Sequence, residues 1–240
     1  MISIITIHKG NIQDLLETTS SIDQNYLHLS TEQQLENIII FNGNPEEIEL
    51  IRPSKYRSYI INQDKSLYDA MNLGVKHAKG SLCIFLNSGD VLYSHHSIYE
   101  ALKYIDSKNQ CYQFEVVLEF GRDLYYPKKN EDYFAHNGFF APIGKQKIYF
   151  DTQKKISSDG EWSISYQSSY GLKRIDKPIV KMRLGGISNN PTVQSVRQRI
   201  SFSMLDGCKE AIKFVLKLIL GQQYFYRTIY QFKYKRFVSE

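Results

Sequence analysis

Ile2–Ile7 opens the chain with almost no polar alternation, which predicts a strand buried on both faces. A polar turn at His8–Asn11 leads into a helical stretch from about Ile12 to Ile22. Ile38–Phe41 repeats the buried-strand pattern and stops at the turn cluster Asn42-Gly43-Asn44-Pro45. Tyr59–Ile61 predicts a short third strand. Leu67, Ala70, Met71, Gly74, Val75 and Ala78 share one face of a helix over 67–78, ended by Gly80. Leu82–Leu86 is a fourth strand that runs into Asn87-Ser88-Gly89-Asp90, and Ser97–Ile105 predicts a further helix. Strands alternating with helices imply right-handed crossovers and a mostly parallel, doubly wound α/β sheet.

Beyond Lys108 the pattern changes. Tyr112–Phe120 and Leu124–Tyr126 predict antiparallel strands about a turn at Gly121-Arg122-Asp123. Residues 130–195 mix short strands with a helix near Asp159–Ser168 and a glycine-rich corner at Gly185-Gly186. The last 45 residues read as helical, basic and aromatic. The expected organisation is an α/β half (1–108) and an α+β half (109–195), followed by a helical appendage (196–240).

Composition sharpens this picture in two places. With 240 residues and 42 % of them hydrophobic, the chain can bury a large core, which excludes wholesale disorder. Its net charge of +5 belongs to the appendage, where nine Lys and Arg residues face three acids. Residues 1–195 are close to neutral, and no nucleic-acid motif accompanies them, which argues against a nucleic-acid partner. Cys83, Cys111 and Cys208 have neither CxxC spacing nor a neighbouring His pair, so a disulfide framework or structural zinc site is not expected. The N-terminus lacks a signal-peptide pattern, and no apolar run approaches the roughly 20 residues of a membrane span. Together these predict a cytoplasmic protein, or one on the inner face of the plasma membrane.

Three polar clusters fall where predicted strands end: Thr6–Lys9, Asn42–Asn44 and Asn87–Asp90. Ligands of open α/β sheets bind at such ends. A carboxylate at the exit of a buried strand, here Asp90, can hold a hard divalent cation through oxygen, with phosphates completing the shell. The other use of such an Asp is to cap the next helix. The long block Asn62-Gln63-Asp64-Lys65-Ser66-Leu67-Tyr68-Asp69-Ala70-Met71-Asn72-Leu73-Gly74, followed by Phe85-Leu86-Asn87-Ser88-Gly89-Asp90, resembles the family 2 glycosyltransferases of the GT-A fold. It is most similar to those of bacterial colanic-acid, exopolysaccharide and O-antigen assembly. The resemblance covers about residues 1–190.

What the resemblance implies can be placed residue by residue. Asp90 matches the last carboxylate of the motif that holds Mn²⁺ or Mg²⁺ against the donor diphosphate. Asn87 and Gly89 stand where that motif carries acidic residues, with Ser88 between them. Thr6 and Ile7 match the strand end that cradles the nucleotide base, and Asn42 the position that reads its edge. The implied donor is a UDP- or GDP-sugar. Asp64 is placed to accept from ribose or base. Lys65 either meets a phosphate or is a solvated surface lysine, and Asp69 either contacts the donor or bonds neighbouring backbone. His136 and Asn137, set among Tyr133, Phe134, Phe139 and Phe140, resemble a segment beside the acceptor. Asp159 takes the position of the catalytic base, with Glu161 as the second candidate; an N-terminal helix cap is its alternative use. Arg183 and Leu184-Gly185-Gly186-Ile187-Ser188 resemble the family's closing strand end.

The expected function is an inverting, metal-assisted glycosyltransferase acting on a lipid-linked saccharide in cell-surface polysaccharide synthesis. A nucleotide-sugar-binding subunit without turnover is the alternative, because two acidic positions of the motif are replaced. In the tail, Lys209, Lys213 and Lys217 lie on one helical stripe, beside a broad apolar surface of Ala211, Ile212, Phe214, Val215, Leu216, Leu218, Ile219 and Leu220. Such a helix suits an anionic membrane surface or packs on protein.

Overall fold

The β-branched run at the N-terminus forms β1 (Ile2–Lys9), buried along all but its last residue. In the computed structural model the described residues are 1–30, 34–61, 66–128, 134–154, 158–184, 191–200, 203–230 and 234–238. α1 (Ile12–Tyr26) follows, its N-terminus capped by the Asn11 side chain, which accepts from the Gln13 N–H. β2 (Leu35–Asn42) and β3 (Arg57–Ile61) extend the parallel sheet on one side of β1, and β4 (Leu82–Phe85) lies parallel on the other. α2 (Leu67–His77) precedes β4, and the short β5 (Val91–Leu92) and α3 (Ser97–Leu102) follow it. These elements bear out the strand–helix alternation expected from residues 1–105.

Two compact units are present, Met1–Val116 with Tyr133–Met182, and Val117–Asp132 with Arg183–Glu240. This division differs from the expected boundary at 195, because a hairpin at 117–127 belongs with the C-terminal residues. In the first unit the strand order is β6–β8–β4–β1–β2–β3, where β6 (Cys111–Phe120) and β8 (Phe139–Pro142) enter antiparallel. α4 (Ser158–Tyr170) and β9 (Leu172–Arg183) complete it, β9 pairing with β5 and β6.

One face of the sheet packs Ile5, Ile38, Ile40 and Phe85 against Met71 and Val75 of α2 and Trp162 of α4. The packing of α2 on β1 is close enough to specify its residues. A Cβ on Gly74 would lie 2.3 Å from Ile5 Cγ2, so this helix approaches the strand only with glycine there. Trp162 is a core residue, as expected, and its Nε1 donates to the Ile148 carbonyl at 2.9 Å.

The second unit pairs β7 (Asp123–Pro127) with the second half of β6, and β10 (Tyr234–Val238) with β7, all antiparallel. Here the expectation of a wholly helical tail is corrected. Tyr234–Val238 is a strand, because its backbone pairs antiparallel with Asp123–Pro127, a partner distant in the chain. Buried Asp123 holds it in place, accepting from Arg227 Nε at 2.8 Å and Arg236 Nε at 2.9 Å. α5 (Val193–Ile200) packs on α6 (Met204–Tyr230), which is interrupted at Gly221, where φ is 73°.

Candidate active site

The carboxyl ends of β1 and β4 are joined beyond the regular strands. Leu86 N–H donates to the Ile5 carbonyl at 2.9 Å and Ser88 N–H to the Ile7 carbonyl at 3.0 Å. The chain then turns sharply. Gly89 has φ +96°, a conformation that costs glycine little, and its N–H is shared between the Asp14 carbonyl and Thr18 Oγ1. The Thr18 hydroxyl donates to the Asp90 carbonyl at 2.8 Å, so α1 clamps the turn from behind.

The short 3₁₀ turn His136–Gly138, just before β8, meets this loop. Asn137 Nδ2 donates to Asp90 Oδ2 at 3.1 Å, and Asn87 Nδ2 stands 3.2 Å from His136 Nε2. The turn sits close against β6, for a Cβ on Gly138 would lie 2.5 Å from the Phe114 carbonyl oxygen. On the far side of His136, its Nδ1 faces Asp159 Oδ2 at 3.6 Å, an ion-pair separation. Asp159 opens α4 and is also met by the Tyr68 hydroxyl at 3.4 Å.

Electrostatics assign these groups different states. Burial pushes the Asp159 carboxyl upward, but donation and charge from His136, with the Gly160 and Asp159 N–H groups, outweigh it and hold the acid below the usual carboxylate range. Burial and the neighbouring Asp159 charge push the Tyr68 phenol up to about 12, so it stays a donor. His8, the penultimate residue of β1, is lowered by burial against the raising influence of Glu47 and Asp14, which keeps it neutral near pH 7. Its ring stacks on Phe41 and its Nδ1 lies 3.0 Å from Ser88 Oγ.

Four buried polar atoms at this end of the sheet have no hydrogen-bond partner among the described residues: His8 Nε2, Asn87 Oδ1, Asn137 Oδ1 and Ser158 Oγ. Each unpaired atom of this kind costs about 1–3 kcal/mol unless a ligand or solvent meets it. Their concentration where open α/β sheets bind ligands marks a polar binding site. The family model for "Glycosyl transferase family 2" matches residues 3–173, well over half of the chain. The chain belongs to glycosyl transferase family 2.

Solved structures agree on the fold. TarS 1-349 of S. aureus superposes with a TM-score of 0.61 at 15 % identity, over 76 % of this chain and 60 % of that one. The same protein in complex with UDP-GlcNAc gives 0.60 at 13 %, over 82 % and 64 %. Mannosyltransferase PcManGT from Pyrobaculum calidifontis, in complex with GDP-Man and Mn²⁺, gives 0.57 at 10 %, over 88 % and 64 %. The chain thus spans about three-fifths of the length of these neighbours. No curated protein matches it in sequence. The fold is the GT-A nucleotide-sugar transferase fold, as the residue block at 62–90 led us to expect.

The structure gathers Asn87, Ser88, Asp90, His136, Asn137 and Asp159 at one end of the sheet. Other expected site residues have different surroundings. Thr6 is fully buried and accepts from Asn37 Nδ2 at 3.1 Å, while Ile7 packs in the core. Asn42 is half-buried at the end of β2. Asp69 forms a reciprocal cap with Ser66: its N–H donates to Ser66 Oγ at 3.1 Å, and the hydroxyl donates to its Oδ2 at 2.7 Å. That is the structural use of Asp69 weighed against donor contact. Glu161 projects from α4 about 200° around from Asp159, is largely exposed and pairs with Lys154. Asp64, Lys65 and the corner at 185–188 lie outside the described residues.

Sequence reasoning missed His8 and Tyr68. His8 carried a signal, a polar ring ending an apolar strand. Tyr68 carried none, because it reads as one more apolar residue of α2.

Proposed function

We propose that this chain is an inverting glycosyltransferase that moves a sugar from a UDP- or GDP-sugar to a saccharide acceptor carried on a lipid, in the assembly of bacterial cell-surface polysaccharide. The observation that carries this reading is Asp159: a carboxylate held ionised and one-third exposed, beside the cluster of unpaired polar atoms. Inversion requires a base that takes the proton of the acceptor hydroxyl as its oxygen attacks the anomeric carbon, opposite the departing diphosphate. Asp159 fits that task. His8 Nε2, Ser88 and Asn87 line the end of β1 and β4, where the donor would bind. Both donor classes enter because the neighbours hold UDP-GlcNAc and GDP-Man.

A divalent cation fits this site in one way. Among the described residues no group of three His, Cys, Asp or Glu side chains could hold a metal. Asp90 provides a single carboxylate, and Mg²⁺ or Mn²⁺ accompanying a diphosphate needs one or two. The residues therefore suit a cation that arrives with the donor. Bound there, it would supply charge stabilisation for the leaving diphosphate.

The site is tested by turnover of a UDP- and GDP-sugar panel with undecaprenyl-linked saccharides. Asp159→Asn should lower kcat by about 10²- to 10⁴-fold, the range for a positioned base, and leave the calorimetric donor Kd within about twofold. Full activity in that variant removes Asp159 as the base. Donor binding without turnover in the wild type, across the whole panel, instead favours a nucleotide-sugar-binding subunit. That second reading is motivated by Asn87 and Gly89 standing in for acids.

The C-terminal unit offers a surface for a lipid-borne acceptor. No described helix is long and apolar enough to cross a membrane. On α6, Met204, Leu205, Ile212, Val215, Leu218 and Ile219 fall on one side and are 50–78 % exposed. Lys213 and Lys217 lie on the opposite side, where Lys213 pairs with Glu210 and Lys217 donates to the Pro191 carbonyl. An exposed apolar stripe on a basic helix suits the interface of a bilayer, into which the helix would lie flat. The exposed stripe supports a peripheral position at the inner face of the membrane as part of this reading.

A further inference from the structure

His136 touches both the turn after β4 and the start of α4. Asn87 Nδ2 lies 3.2 Å from its Nε2, and Asp159 Oδ2 lies 3.6 Å from its Nδ1. A carboxylate beside Nδ1 favours a proton on that nitrogen. A neutral ring then presents a lone pair at Nε2, which the amide NH₂ of Asn87 can meet. The opposite tautomer would set the Nδ1 lone pair against the carboxylate. Backbone packing fixes the ring's origin, since the turn carrying it presses Gly138 onto the Phe114 carbonyl and Asn137 ties it to Asp90. Among the described residues, the titratable groups facing Asp159 are His136 from this turn and Tyr68 from α2. Tyr68 donates to Oδ1 as a neutral phenol, and His136 is the group that faces Oδ2.

We propose that His136 is a positioning residue: its Nδ1 edge aims the Asp159 carboxylate, and Asn87 fixes the ring through Nε2. The proposal rests on the reading of Asp159 as the base. It also gives Asn87 a task of its own. A carboxylate at that position would accept from Nε2 and compete with Asp159 for the ring's proton, whereas an amide supports Nδ1–H. The missing acid of the motif thereby becomes part of the base's support.

Two measurements test it on the full chain. The first is ¹⁵N NMR of histidine-labelled protein, with His136 assigned by His136→Asn. The expected result is the Nδ1–H tautomer near pH 7, and its loss in Asp159→Ala. An Nε2–H tautomer in the wild type overturns the proposal. The second is the pH profile of kcat for a turned-over sugar nucleotide. His136→Ala should lower kcat about tenfold or more, part of the 10²–10⁴ a positioned base supplies, and move the acid limb to higher pH. His136→Asn, which keeps a neutral donor near the Nδ1 position, should restore much of the loss, and donor Kd should change in neither. If His136→Ala keeps the wild-type kcat and acid limb while Asp159→Asn is inactive, the positioning role fails and the base stands. If Asp159→Asn is fully active, the base reading fails, and the tautomer measurement still reports on the contact.

Discussion

Asp90 and Asp159 are both carboxylates of one polar site, yet their surroundings suit them to different work. Asp90 is 8 % exposed and tied to the Asn137 amide, in a turn fixed by α1. Asp159 is more open and held ionised by His136 and backbone N–H groups. Asp90→Asn should therefore weaken UDP or GDP binding about tenfold or more in the presence of Mn²⁺ and change it little in its absence, read by calorimetry with and without the cation. Equal affinities in both variants under both conditions remove Asp90 as the cation ligand. The lowered pKa of Asp159 fixes the sign of the pH dependence. On the proposed role of Asp159 as the base, its ionised form is the active one, so kcat should fall only as pH drops below the ordinary carboxylate value of about 4. Asp159 was legible in the sequence because it stands in an ordered match. Tyr68 was not, since a side chain that acts through a distant partner leaves no local spacing, whereas His8 lay within the polar strand end Thr6–Lys9 without being singled out.

At the level of elements, β1 and α2 constrain one another through Gly74. Alanine normally favours a helix over glycine by about 1 kcal/mol. Here the added methyl would meet Ile5 Cγ2 at 2.3 Å, and forcing a full core apart costs about 1–3 kcal/mol. Gly74→Ala should thus destabilise the chain, seen as a lower urea midpoint, whereas Gly160→Ala, with nothing within 4 Å of its Cβ, should not. A raised midpoint for Gly74→Ala would show that α2 shifts to accommodate it. The elements of residues 1–105 were readable because buried parallel strands and amphipathic helices have clear, different periods. Tyr234–Val238 was not readable in this way. Tyr-Lys-Arg-Phe-Val carries no clear period, and its partner strand β7 lies over a hundred residues earlier.

At the scale of the molecule, the C-terminal unit combines a hairpin, a strand and the α5–α6 pair. Inside it, buried Glu210 accepts from Ser195 at 3.2 Å and pairs with Arg199 at 3.3 Å. Its outward apolar face is the feature that folding leaves exposed. Full-length protein should co-sediment with phosphatidylglycerol vesicles, less so as salt rises, and weakly with phosphatidylcholine alone. Ile212→Glu with Val215→Glu, both on the exposed face, should abolish sedimentation without altering the circular dichroism spectrum. If that variant still binds vesicles, the face is not the membrane contact. A wild-type dimer that the pair dissociates assigns the face to a second copy of the chain.

By itself the sequence determined the GT-A α/β class and the family, and pointed to the carboxylates at 90 and 159, because these depend on local periodicity and on an ordered run of residues. It also exposed the cationic, apolar pattern of 204–220. The tertiary structure alone decided which polar residues meet. Asn87, His136 and Asp159 come together from a strand end, a turn and a helix start, and their protonation depends on that contact. Capping by Ser66 gave Asp69 a structural task, and helix geometry turned Glu161 away from Asp159. Only folding distinguishes the inner from the outer face of α6. Periodicity is a property of neighbours in the chain, whereas burial, hydrogen-bond partners and charge state belong to neighbours in space.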